Sequence, residues 1–411
     1  MNKNENRKKS YAALKYSDFR FFLITKGLLV LALQIQSVVL GWHVYSLTLD
    51  PLSLGLVGLV EVIPNFSITL FAGHFTDIYN RKKMILSSLG VLLACSIGFW
   101  FISNSAISYK LWMIYLLIGV TGFARGILSP ALFSVMGECV EKKDYVNSTA
   151  WHTSVWQVGG LFGAGLSGFI YQGIHFNTYI LLSLLFTLAM LAFAFISPKP
   201  HANRGRQTES IRESIQMGLK FVFGSQILLA ALSLDLFAVL FGGAVALLPV
   251  FAKDILKVGP TGLGFLKAAP SLGSFLMAYF LIYYPPIKKS GQILLISVFG
   301  FGLCMIMFAL SKNFYLSLFS LMLSGAFDGV SVMIRGTILQ TLVPDDMKGK
   351  VYSVNSLFIG SSNEIGAFES GVAARIMGTI PSVVFGGIMT LIVVMTTYKK
   401  VPSLTKFNIQ E

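Results

Sequence analysis

Apolar residues in this chain come in runs of twenty or so, separated by short polar or basic breaks. The runs lie near 19–46, 52–75, 84–103, 111–137, 146–172, 176–197, 226–252, 261–284, 291–311, 313–340, 351–377 and 381–398. A helix of about 20 residues crosses a hydrocarbon core of about 30 Å, so each run predicts one membrane-spanning helix. The pattern therefore predicts an all-α polytopic membrane protein with twelve transmembrane helices. The segment before the first run, "MNKNENRKKS", is polar and basic. The run after it is too long for the apolar stretch of a signal peptide, so no cleavable leader is expected.

Composition strengthens this reading. Charged residues make up 12% and hydrophobic residues 55% of the 411 residues, whereas soluble domains carry about 25% charge. The net charge of +14 would suit a nucleic-acid binder, but its distribution argues otherwise. With the N-terminus inside, 23 of the 32 Lys and Arg fall on inner segments, and only Lys110, Lys253, Lys257 and Lys312 fall in outer loops. Such a positive-inside bias predicts two cytoplasmic termini in a cell inner membrane and no nucleic-acid partner. Cys95, Cys139 and Cys304 have no metal-ligand spacing and no evident disulfide pairing. The chain contains no phosphate-binding loop and no nucleophile–base set, so neither an enzyme nor a cofactor or metal site is expected.

The longest break, 198–225, is polar and basic and divides the runs six and six. It predicts a six-helix bundle over 1–197, a cytoplasmic linker over 198–225 and a second bundle over 226–411. The halves repeat each other. "GLVGLVEVIP" (55–64) aligns with "TGLGFLKAAP" (261–270), and "GGLFGAGLSG" (159–168) with "SNEIGAFESG" (362–371). Gly163 then matches Gly366, Gly168 matches Gly371, Gly122 matches Gly325, and Arg125 matches Asp328. Repeated six-helix halves point to a transporter with its site near the bilayer midplane. Helices three, six, nine and twelve hold no Asp, Glu, Lys or Arg. Charge in lipid costs several kcal/mol, so these four are expected to face lipid while the others surround a polar path.

The second run ends in "GHFTDIYNRKK" (73–83), in which Gly73, Asp77, Arg81 and Lys82 are spaced Gly-x-x-x-Asp-x-x-Asn-Arg-Lys. This resembles the loop motif between helices two and three of the major facilitator superfamily, with Asn80 in place of its second Gly. Asn tolerates a left-handed turn, so the replacement is expected to be mild. The stretches "QIQSVVLGWHVYSLTLDPLSLGLVGLVEVIP", "GFLKAAP" and "LQTLVPDDMKGKVYSVNS" resemble the branch that holds the enterobactin exporter and drug:proton antiporters. The resemblance implies two six-helix bundles that rock about a central cavity, latched on the cytoplasmic side by the Asp77–Arg81 group. "GGLFGAGLSG" resembles the antiporter motif of helix five through Gly159, Gly163 and Gly168, with Ala164 for its Pro and Ser167 for a Gly. Close helix packing accounts for those glycines, and for Gly366 and Gly371, without any appeal to transport direction.

The intramembrane charges are the candidate proton-coupling residues: Asp235, Asp328, Glu364, Glu61, Glu369 and Arg125. Asp235 has no basic residue within a turn, so it is expected to be protonated or solvated. Arg125 and Asp328, opposite in sign at matching positions, suggest a pair across the cavity; Asp328 could equally reach Arg335. Glu61 and Lys267 each precede a proline by three residues, which suits hinge chemistry as well as binding. Arg125 could equally snorkel to the inner interface. Gln34, Gln36, Trp42, His43 and Tyr45 on helix one, with Trp151, His152, Trp156 and Gln157 on helix five, suggest a polar-aromatic lining for a bulky ligand, although Tyr45 and Trp151 also suit an interfacial belt.

Glu364 and Glu369 lie five residues apart and so cannot share a helix face. Glu364 sits near midplane, whereas Glu369 is nearer the outer end and is expected to meet Arg375 or water. The expected function is proton-driven export of an amphipathic small molecule, a siderophore or drug, by a monomer in the bilayer with the proton gradient as energy source. The alternatives are an importer, a lysophospholipid transporter of the same fold, or a non-transporting membrane sensor.

Overall fold

The computed structural model describes residues 11–78, 80–105, 108–197, 211–242, 244–284, 286, 288–344 and 347–408. Among them are twelve long helices and no strand. They are α1 (Ser17–Thr48), α2 (Pro51–Ile78), α3 (Arg81–Asn104), α4 (Lys110–Glu138), α5 (Tyr145–Ile174) and α6 (Thr178–Ala194). The second set is α7 (Gln226–Phe241), α8 (Gly259–Tyr283), α9 (Ser290–Leu310), α10 (Phe314–Leu342), α11 (Lys348–Met377) and α12 (Thr379–Lys400). Each corresponds to one apolar run.

By apolar length, ten stretches of the described residues can cross a membrane. Two features explain why ten stretches make twelve helices. A single turn, His175–Asn177, joins α5 and α6 into one stretch, Asn147–Ala194. And α11 carries Asn363, Glu364, Glu369 and Arg375, too polar to qualify by composition although its 30 residues are long enough. A helix of that kind needs protein or water around it.

α7 is shorter than its run. It stops at Gly242, and the chain goes on through short turns to Ile255. A Cβ at Gly242 would lie 2.7 Å from the Phe301 ring of α9, so the break sits where that ring leaves no room for a side chain. A further helix, Ile211–Gly224, lies in the expected linker. Its Val222 is buried, and a Cβ on its Gly218 would lie 2.7 Å from the Lys350 carbonyl at the start of α11.

The chain packs as two compact units. The first holds 1–47 and 59–204; the second holds 48–58 and 205–411. The start of α2 thus belongs with the second unit. Gly371 of α11 makes this possible: a Cβ there would lie 2.9 Å from the Cα of Gly55.

The internal repeat is visible in packing. In the first unit, Gly122 and Gly126 of α4 lie against the backbone of α2 at Glu61 and Asn65. In the second, Gly325 and Gly329 of α10 lie against α8 at Pro270 and Ser274. A hydroxyl ties each crossing: Thr69 donates to the Gly126 carbonyl at 3.3 Å and Ser274 to the Gly325 carbonyl at 2.6 Å. Gly159 and Gly163 of α5 pack in the same manner on α1, with a Cβ at Gly163 2.7 Å from the Cβ of Gln34. Gly366 of α11 packs on the Val239 and Leu240 carbonyls of α7 at 2.8 Å, and Gly168 is buried. Small residues at helix crossings are the usual means of close approach in membranes.

The charge-free helices expose apolar stripes and bury the opposite face. On α6, Ile180, Leu184, Leu188 and Leu191 face outward, while Tyr179, Leu182 and Phe186 are fully buried. Ile388, Ile392 and Met395 form the matching outward stripe on α12. The protein is a multi-pass membrane protein.

Adding a methyl at Gly122 or Gly325 would drive it into a carbonyl of the neighbouring helix, and such overpacking costs about 1–3 kcal/mol. Gly122→Ala and Gly325→Ala are each expected to lower the melting temperature of the detergent-purified protein. Gly90→Ala, where nothing lies within 4 Å, is expected to leave it unchanged or raise it.

Candidate functional site: intramembrane charge clusters

The glycine crossings decide which charges meet. Because Gly122 brings α4 against the Glu61 backbone, Arg125, one turn further along α4, reaches the Glu61 carboxylate and pairs with it. The pair is partly accessible, with 36% exposure for Arg125 and 23% for Glu61. This corrects the expected Arg125–Asp328 pair: Arg125 finds its carboxylate within the first unit. Glu61 is accordingly an ion-pair partner, and the proline three residues on leaves α2 unbroken.

In the second unit, Arg335 of α10 pairs with Asp235 of α7. Both side chains are nine-tenths buried or more, at 6% and 9% exposure. Asp235, expected to lack a basic neighbour, therefore has one from another helix. Asp328, two turns before Arg335, faces the same guanidinium and the Asp235 carboxylate without a direct bond to either among the described residues. Asp235 and Asp328 both line a cavity of about 10 Å³, together with Ser297, Phe301 and Ser331. That is room for about one water. Two carboxylates and one guanidinium leave the cluster one negative charge in excess.

Glu364 of α11 faces Lys267 of α8. Its Oε2 lies 3.0 Å from where a Cβ on Gly58 would sit, so the glycine clears space for it. Glu369 is half-buried beside Ser370. Arg375, its expected partner, instead pairs with Asp50 at 3.4 Å.

The proposed lining divides. Trp156 and Gln157 are exposed on the first unit, and Gln34 and Trp42 are partly so. Gln36 is buried at 4% exposure and its Oε1 has no hydrogen-bond partner. His43 is also buried: its Nδ1 lies 3.2 Å from the Tyr179 hydroxyl and 3.4 Å from that of Ser103, inside the α1–α3–α6 packing. Tyr45 is 3% exposed, which removes it from both a lining and a belt. Sequence reasoning missed Lys26 of α1, whose Nζ lies 5.0 Å from the Trp156 ring centroid. The signal was a lone Lys in an apolar run.

In the motif between α2 and α3, Gly73 and Asp77 lie outside the residues whose side chains are described. Asn80 does not adopt a left-handed turn. Its φ is −64° and it caps α3, its side chain accepting from the Lys83 amide at 3.2 Å. Arg81 pairs with Glu138 at the end of α4. Lys82 donates to the carbonyls of Ala194 and Ile196 at 2.6 and 2.7 Å, capping the end of α6. The N-terminal segment is strapped alongside: Lys15 pairs with Asp144 at 3.1 Å, the Tyr16 hydroxyl donates to Asp144 at 2.9 Å, and the Ala13 amide donates to Asn147 at 2.9 Å.

Hydrogen bonds from Lys15 and then Tyr16 hold the Asp144 carboxyl below the usual range. Hydrogen bonds that the Lys15 ammonium donates to Tyr16 and Asp144 hold it above its own range. A depressed carboxyl contributes stability above its unfolded pKa and loses it as pH falls through the folded value; a raised ammonium loses its contribution as pH rises past its folded value.

Two six-helix sets, glycine crossings repeated between them and paired charges within the membrane define a polytopic carrier. The chain belongs to the Major Facilitator Superfamily, whose family profile matches residues 22–367, and it is a transporter of that superfamily. It is similar to the enterobactin exporter EntS of Shigella flexneri and of Escherichia coli O1:K1 / APEC, 24% identical to each over 386 residues, which span 91% of this chain and 89% of theirs. Among solved structures it resembles peptide transporter POT in complex with sulfate (TM-score 0.73, 12% identity, 95% of each chain). It also resembles nucleoside transporter NupG (TM-score 0.68, 14% identity, 95% of this chain and 100% of that one). A bacterial homologue of the human lysosomal transporter Spinster has the same fold (TM-score 0.68, 12% identity, 97% of this chain and 96% of that one).

Two predictions follow from these pairs. Removing one member of a buried ion pair costs about 3–5 kcal/mol, while replacing both with apolar residues is often neutral. Arg335→Leu is therefore expected to destabilise the purified protein, and Asp235→Leu with Arg335→Met to restore most of its melting temperature. In the N-terminal strap, Asp144→Asn is expected to speed hydrogen exchange at the Ala13 amide at pH 7. In the parent, that exchange, corrected for its intrinsic pH dependence, is expected to rise as pH falls from the ordinary carboxyl range through the depressed Asp144 value, and as pH climbs from the ordinary ammonium range through the raised Lys15 value.

Proposed function

We propose that the chain is a proton-coupled exporter of an amphipathic small molecule, a siderophore or a drug, working by alternating access. The observation that carries this reading is the Asp235–Arg335–Asp328 cluster. It is buried in the membrane, one positive charge short of neutrality, and its two acids line one water-sized void. One proton restores neutrality, and a second, on Asp235, would weaken the hold on Arg335. That couples proton occupancy to the α7–α10 contact. Glu364 facing Lys267 offers a second carboxylate whose protonation frees a cation in the same unit. The similarity to proteins named enterobactin exporters favours outward movement of a bulky ligand. The reading places both termini in the cytoplasm of a cell with this protein in its inner membrane. It needs no cofactor beyond the proton gradient and no second copy.

In inverted vesicles energised by a proton gradient, the protein is expected to accumulate an amphipathic substrate, and collapse of the gradient is expected to release it. Movement of no member of a siderophore and dye panel under a gradient would sink the reading; accumulation only in right-side-out vesicles would reverse its direction. Asp328→Asn and Glu364→Gln are expected to abolish gradient-driven accumulation while leaving substrate exchange, and Glu369→Gln to do less. Unchanged pH dependence in Glu364→Gln would remove Glu364 from the mechanism.

A further inference from the structure

The first unit carries a charge that its own carboxylates do not balance. Lys26 lies nine residues into α1, roughly 14 Å from its inner end, and Arg125 roughly 20 Å from the inner end of α4. Glu61 is taken by Arg125. Among the described residues Lys26 has no carboxylate partner. Its ammonium instead sits 5.0 Å from the centroid of Trp156, feels the Arg125 guanidinium, and is felt in turn by His152. Lys26, Arg125 and Glu61 together carry one positive charge in excess.

Cation–π contact is worth about 0.5–2 kcal/mol, well short of the cost of an unpaired ammonium in hydrocarbon. The missing partner is an anion. Trp156 indicates what kind. It is 45% exposed, so its ring is not consumed by packing and one face remains for an aromatic guest. Exposed Gln157 and partly exposed Gln34 add hydrogen-bonding groups nearby on the same two helices. We propose that Lys26, Arg125 and Trp156 form an anion-binding face that takes an aromatic ligand bearing a carboxylate-type negative charge. The ammonium and guanidinium hold the anion and the indole stacks on the ring. The proposal rests on the reading of the chain as a small-molecule carrier and gives that carrier a preference for the charge of its cargo.

The test uses 2-naphthoate, 2-naphthamide and 2-naphthylmethylammonium, alike in apolar area but charged −1, 0 and +1. Binding to the full chain in nanodiscs of neutral lipid is measured by calorimetry. The parent is expected to bind naphthoate roughly tenfold or more tighter than naphthamide, and the ammonium weakest. Lys26→Gln is expected to erase the preference, Lys26→Arg to keep it, and Trp156→Ala to weaken all three probes. Equal affinity for the three probes overturns the proposal, as does a preference that survives Lys26→Gln in protein with the parent's melting temperature. Displacement of naphthoate by chloride and sulfate as effectively as by other aromatic carboxylates also overturns it, by making the site one for inorganic anions. The binding assay contains no gradient, so its outcome is separate from the transport assay. Charge discrimination without gradient-driven transport sinks proton-coupled export alone; gradient-driven transport without discrimination sinks this proposal alone.

Discussion

A charge inside a membrane must be answered by another charge, a hydrogen bond or water, and that requirement organises this protein. It acts through backbone approach. An Arg on one helix reaches a carboxylate on another only if the helix axes come close, and here glycine sets the distance. Gly122 lays α4 on the α2 backbone at Glu61, and the Arg125–Glu61 pair forms at that crossing. Gly58 and Gly366 likewise place α11, which takes Glu364 into the second unit without a methyl in its way. The most polar helix of the twelve is therefore also among those most dependent on glycine for its neighbours.

The repeat preserves packing and rewrites chemistry. Gly122 and Gly325 do the same work in the two units, and the hydroxyl ties from Thr69 and Ser274 sit at the same crossings. The charges flanking them are exchanged: Glu61 and Arg125 in the first unit correspond to Lys267 and Asp328 in the second. A simple inversion would give a Lys267–Asp328 pair. Instead Lys267 faces Glu364 and Asp328 faces Arg335, because α7 and α11 contribute acids for which the first unit has no equivalent. Leu161 holds the place of Glu364 in the first repeat. Among the described intramembrane residues, the first unit thus has the Arg125–Glu61 pair and an excess of positive charge, while the second has acids facing both Arg335 and Lys267.

The fold was legible in the sequence because apolar length is a one-dimensional signal. All twelve runs became helices, and two of the charge-free ones, α6 and α12, expose apolar stripes. The pairing of charges was not legible, since it depends on which faces of different helices oppose each other. Asp235 looked isolated because its partner lies 100 residues away on another helix. Arg375 looked like a partner for Glu369 because the two are near in sequence, yet Asp50 has it. Asn80 was read through the family's glycine as a turn residue, whereas an Asn before a helix has a stronger local role as its cap. The aromatic lining was read from composition alone, which cannot tell Trp156, on an open face, from His43, locked between three helices.

The two units differ in a way that suits a division of labour. In the second, Arg335 and Lys267 lie opposite acids, and Asp328 is an acid beyond what its base can neutralise; the proposed function assigns the proton to such a cluster. In the first, the pair is more exposed and the uncompensated charge is a base beside an accessible indole; the proposed anion site lies there. Both follow from the same electrostatic requirement applied to helices with identical glycine spacing but different charged residues. A proton and an anion would then be held by separate units of one chain. Each neutralises its own excess, so occupancy of either lowers the cost of keeping that unit's charges in the membrane.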